Sequence, residues 1–82
     1  MNTYFLKDIK VGEHAQILEL KESELKQRFL DLGLVPGTYV KCVGISPGRD
    51  MKAYLIRGAV IAIRNSDSGT VRVSKGESAV WD

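Results

Sequence analysis

The sequence predicts a small, mainly β domain, a barrel or sandwich of short strands carrying one substantial helix, and three observations predict it. The chain has 82 residues, room for a single hydrophobic core. Beyond residue 38 it is a succession of Val-, Ile- and Tyr-rich runs separated by Gly, Pro, Asp and Ser, the signature of strands and turns. Only one long stretch, residues 22–32, repeats apolar side chains at helical spacing. Hydrophobic residues make up 44% and charged residues 27%, ordinary usage that suggests neither a disordered chain nor a fibrous repeat.

Residues 3–12 place Leu6 and Ile9 three apart around Lys7 and Asp8, which predicts one short helical turn stopped by Val11-Gly12. From His14 the chain alternates, Ala15 and Ile17 against Gln16, Leu18 and Leu20. A strand is expected there, with its apolar side undecided. In the helix, Leu25, Phe29 and Leu32 follow the i, i+4, i+7 rule, so one stripe is buried. Gly33 is the expected stop, with Leu34 folded back on Phe29 in a Schellman closure. Val35-Pro36-Gly37-Thr38 then predicts a type II turn. The remaining strands are expected at Tyr39–Ile45, Met51–Ile56, 59–63 and 70–73. Gly44 is the expected bulge and Gly58 the expected tight reversal. Phe29, Gly33 and Gly58 are therefore structural expectations. One domain spans residues 1–75, and 76–82 is expected to be a flexible tail unless Trp81 finds a groove.

Several chemistries find little support. The single cysteine, Cys42, lies inside an apolar strand and is expected in the core. The single histidine, His14, has only Glu13 beside it, too few ligands for a structural metal site. Ser46, Ser66, Asp50 and Asp67 fall in expected turns, where such side chains bond their own backbone. No nucleophile motif and no phosphate-cradling glycine loop is present, so the chain is read as no enzyme and without a cofactor. The formal charge of +2 is spread over 12 basic and 10 acidic residues with no cationic run. Arg57, Arg64, Arg72, Lys41 and Lys52 would form one basic face only if their strands were adjacent. The apolar runs are too short to cross a bilayer, and the N-terminus does not read as a secretory signal, so a cytoplasmic protein is expected.

Four segments in order, Leu32-Gly33-Leu34-Val35-Pro36-Gly37, Ser46-Pro47-Gly48-Arg49-Asp50, Tyr54-Leu55-Ile56-Arg57-Gly58 and Ile61-Ala62-Ile63-Arg64, resemble FeoA-domain proteins over nearly the whole chain. The resemblance implies an SH3-like β-barrel with helical insertions, related to the C-terminal domains of iron-dependent repressors. It also implies a protein partner, the membrane-bound, GTPase-bearing ferrous-iron transporter FeoB, and hence an adaptor that modulates the transporter's assembly or activity. Membrane contact would come only through that partner, any metal contact would be weak or indirect, and self-association stays open. The alternative is a small regulatory or nucleic-acid-binding barrel, although six aromatic residues leave too few for a stacking platform. The expected docking residues lie on two loops: Leu34, Val35, Pro36 and Gly37 on one, Pro47, Arg49 and Asp50 on the other. The chain departs from the family pattern at Gly48-Arg49-Asp50-Met51, and at Lys52 and Leu55, where the usual apolar and polar residues are exchanged. That exchange leaves the facing of this strand open.

Overall fold

The computed structural model describes residues 3–75; the expected tail, 76–82, lies outside the described residues. Six strands form one antiparallel sheet in the order β1-β6-β2-β3-β4-β5: β1 is Tyr4–Phe5, β2 His14–Leu20, β3 Tyr39–Ile45, β4 Met51–Ile56, β5 Ala59–Arg64 and β6 Val71–Lys75. A 3-10 turn at Leu6–Asp8 follows β1, helix α1 (Lys26–Asp31) lies between β2 and β3, and a four-residue helix α2 (Asn65–Ser68) joins β5 to β6.

Alternation sends one face of each strand into a common core. Ala15 and Ile17 of β2, Val40 and Cys42 of β3, Tyr54 and Ile56 of β4, Ile63 of β5, and Val71 and Val73 of β6 are all buried. The undecided facing of β2 is resolved by a slip in its pairing with β6 between Ile17 and Glu19. That irregularity turns Leu20 inward as well. Gly44 marks a second irregularity, between Cys42 and Gly44 against β4.

The facing of β4 follows from Lys52. It stands opposite the buried Ile63, and its ammonium donates to the carbonyls of Lys7 at 2.6 Å and Ile9 at 2.9 Å. A lysine thus occupies an inward register because its head reaches two backbone acceptors, while Leu55 faces outward. The expected N-terminal turn is present and tied down. Asp8 accepts the Phe5 amide at 2.8 Å, Tyr54 donates its hydroxyl to the Leu6 carbonyl at 3.1 Å, and Leu6 and Ile9 are fully buried.

The helix is shorter than the sequence suggests. Instead of 22–32, α1 covers Lys26–Asp31. Ser23 takes the Leu25 amide on its hydroxyl at 3.2 Å, which competes with helical bonding. Glu22, Ser23 and Glu24 are exposed, so an added turn would bury nothing to offset its ordering cost. Phe29 is buried, Leu25 and Leu30 pack partly against the core, and Leu32 stays 38% exposed.

The helix ends as expected. Leu34 N–H bonds the Phe29 carbonyl at 2.9 Å and Gly33 N–H the Leu30 carbonyl at 3.1 Å, the bond pair of a Schellman closure. Gly33 has φ +105°, and a Cβ there would sit 3.4 Å from Ile56 Cγ2. At the β4–β5 reversal Arg57 and Gly58 have φ 51° and 83°, a two-residue turn of type I′ sign whose twist suits a hairpin. In the expected type II turn, Thr38 N–H bonds the Val35 carbonyl at 2.9 Å. Strand β1 and helix α2 were not expected; two and four residues are too short to show a period.

Candidate docking groove

Among the described residues β5 lies at one end of the sheet and pairs with β4 alone. The two-residue turn makes Ile56 and Ala59 the first hydrogen-bonded pair, after which bonded and non-bonded pairs alternate. Val60 and Ala62 consequently direct their backbone N–H and C=O groups away from β4, to the open edge. Gly33 against Ile56 and Arg57 fixes the C-terminal end of α1 near the hairpin turn. Between helix and hairpin runs a groove of about 420 Å³. Its apolar lining comes from Leu25, Phe29 and Leu32 on one side and Met51, Ile61 and Ile63 on the other, with Arg28, Arg64 and Asp67 as charged members. An unpaired strand edge beside an apolar trough offers main-chain hydrogen bonds and side-chain pockets together.

The docking residues expected from sequence are not brought onto one patch. The turn carrying Val35, Pro36 and Gly37 precedes β3 and the loop carrying Pro47, Arg49 and Asp50 follows it. Seven strand residues separate them by roughly 20 Å. Leu34 is fully buried, because the helix closure folds it back towards Phe29, so it presents no side-chain surface in this fold. Val35, Pro36 and Gly37 are exposed, and so are Pro47, Arg49 and Asp50. The second loop is braced by α2, since Asn65 donates its side-chain amide to the Arg49 carbonyl at 2.9 Å and its backbone amide to the Asp50 carbonyl at 2.8 Å. Asp50 also accepts the Ser46 hydroxyl at 3.0 Å, a turn contact. The groove residues Ile61 and Ala62 were missed as site residues because an edge strand and a central strand read alike in sequence.

The basic residues do not all share one face, although Lys41 and Arg57 line one shallow depression. Arg72 pairs with Glu19 at 2.6 Å, and Lys52 is turned inward to the carbonyls described above. Cys42 is buried, and burial pushes its thiol above the ordinary range. Glu13 is held low first by the Lys10 amide, which bonds it at 2.7 Å, and then by Lys75. Among the described residues no group of three or more His, Cys, Asp or Glu converges on a point.

A six-stranded antiparallel sheet capped by a 3-10 turn, with one open edge beside a short helix, is an SH3-like β domain. Residues 5–75 match the FeoA-domain family, and the chain belongs to that family. A FeoA-like protein from Clostridium acetobutylicum superposes with a TM-score of 0.86 at 22% identity, over 95% of this chain and 92% of that one. Iron(II) transport protein A from Clostridium thermocellum gives 0.82 at 26% identity, over 88% of this chain and 45% of the other. The zinc complex of Stenotrophomonas maltophilia FeoA gives 0.79 at 21% identity over 87% and 89%; it is described as a prokaryotic SH3-domain protein and a candidate ferrous iron transport activating factor. A search of curated proteins returns no match.

Proposed function

We propose that this protein is a cytoplasmic, non-catalytic accessory factor of ferrous-iron uptake, and that it docks on the cytosolic part of the transporter FeoB through the α1–β5 groove. Membership of the FeoA-domain family supports the iron-transport setting, as does the description of the Stenotrophomonas relative. The observation that carries the docking mode is the open edge of β5 beside an apolar trough. A partner segment lying along Val60 and Ala62 would complete the ladder, and its side chains would fill the space between Leu25, Leu32 and Ile61. Any nucleotide hydrolysis then belongs to the partner. No helix among the described residues is long and apolar enough to cross a membrane, and in this reading the transporter supplies the membrane contact.

Ala62→Pro is the direct test. It deletes an amide that faces the open edge and leaves the bonds to β4 intact, the position in a sheet where proline is tolerated. In calorimetry with the transporter's cytosolic part, the variant should keep the wild-type melting transition and lose binding. Wild-type affinity in both Ala62→Pro and Leu32→Asp would refute docking at this groove.

A further inference from the structure

The charges of the α1–β5 groove are unevenly placed. Arg28 and Arg64 both line it and are exposed. Neither makes an ion pair among the described residues, where such pairs belong to Lys26, Arg72 and Lys75. Asp67 is the one carboxylate in the lining, so two cations meet a single anion and one positive charge is left over. These charges gather at one end. The closeness of Gly33 to Ile56 and Arg57 holds the end of α1 at the hairpin turn. Arg64 stands at the opposite end of β5, Asp67 follows in α2, and Arg28 lies one helical turn back from Leu32. Towards the hairpin turn the lining is Leu32 and Ile61, and Val60 beside it is 63% exposed.

We propose that the protein segment taken up along β5 is a strand with an acidic head: an Asp or Glu carboxylate seated between Arg28 and Arg64, with large apolar side chains running from there towards the hairpin turn. The inference rests on docking at this groove and specifies the chemistry of the docked segment. A guanidinium presents a fork of N–H donors that matches a carboxylate, and two guanidinium groups can donate to one carboxylate from both sides. Phosphate suits an arginine pair as well, but a free ion would leave the apolar trough and the strand edge unused. A basic head would meet two arginines against one carboxylate and be repelled. The charges also set the register. Only the acidic end of the partner strand fits beside Arg64, and a slip of one residue would turn every apolar side chain to the other face. Both arginines are exposed, so they act on recognition and association rate more than on total affinity.

Calorimetry with the transporter's cytosolic part, at low and at high salt, tests it. The double variant Arg28→Glu, Arg64→Glu should lose about tenfold in affinity at low salt, and high salt should shrink that gap. Asp67→Asn, which removes the opposing charge, should bind about twofold tighter or more, a gain that no loss of structure can imitate. Melting curves check that these variants fold; if the double reversal does not, Arg28→Gln and Arg64→Gln replace it, each with a loss of about twofold. Ala62→Pro keeps this inference and the docking apart. Wild-type affinity in the arginine variants and in Asp67→Asn, with binding lost in Ala62→Pro, overturns the acidic head and leaves the docking standing. Wild-type affinity in both Ala62→Pro and Leu32→Asp overturns the docking, and the acidic head with it. Tighter binding by the arginine reversal would show a basic segment in the groove and overturn the proposal as well.

Discussion

Phe29→Ala removes the side chain through which the six-residue helix is held to the barrel. Phe29 is only 4% exposed and belongs to the main core cluster, and its carbonyl accepts the Leu34 amide that closes the helix. Truncating a buried phenylalanine costs about 3–5 kcal/mol, less where the surroundings can collapse into the space. Here they can. The ring also borders the open groove, and α1 is short enough to shift, so about 3 kcal/mol is expected. A chain of this length has about 4–12 kcal/mol of total stability at roughly 0.05–0.15 kcal/mol per residue. The loss should therefore lower the melting temperature by about 12–24 °C, using about 4–8 °C per kcal/mol for a small domain. Thermal and urea unfolding, followed by far-ultraviolet dichroism, make the measurement, alongside binding of the transporter's cytosolic part. A melting temperature within about 4 °C of wild type, equivalent to less than about 1 kcal/mol, together with lost binding, would refute the reasoning. It would mean that Phe29 is a contact residue and that α1 is held by something else.

Tyr54 gives the protein an alkaline limb. Burial pushes its phenol from 10.0 up to about 12, so the unfolded chain releases this proton at a lower pH than the folded one. The stability it contributes is complete below pH 10 and is lost as pH rises from about 10 to about 12, in total about 2–3 kcal/mol. Urea midpoints measured across that range should fall more steeply in wild type than in Tyr54→Phe; parallel curves would count against it. Cys42 is fully buried with its thiol pushed up, so an aromatic disulfide reagent at neutral pH should label it only after denaturant is added. Rapid labelling of the native protein would show that β3 opens locally.

The strands of this protein were legible because its local signals agree with one another. Tyr39–Ile45 and Met51–Ile56 are bounded in the structure as they read in the sequence. The Gly33 closure and the Gly58 reversal declared themselves too, since a backbone with φ near 83–105° strongly favours glycine, whereas Arg57 at φ 51° gave no such signal. The helix was overread because periodicity counts apolar positions without knowing whether a surface exists to receive them. Leu32 keeps the period and finds no core, while Leu34, outside the period, is fully buried. Lys52 shows the opposite error, a charge on an inward position that makes sense only once the carbonyls of Lys7 and Ile9 arrive from residues more than forty positions away.

Family membership could be read from the order of four short segments, yet the candidate groove could not. Val60 and Ala62 belong to a run that would look the same in the middle of a sheet. What makes them available is that no described residue pairs on their far side, and strand order is a property of the closed chain. Residues near in sequence share a local conformation, which the amino-acid pattern records directly; residues that meet across the sheet share only an address, and that is assigned when the whole core packs.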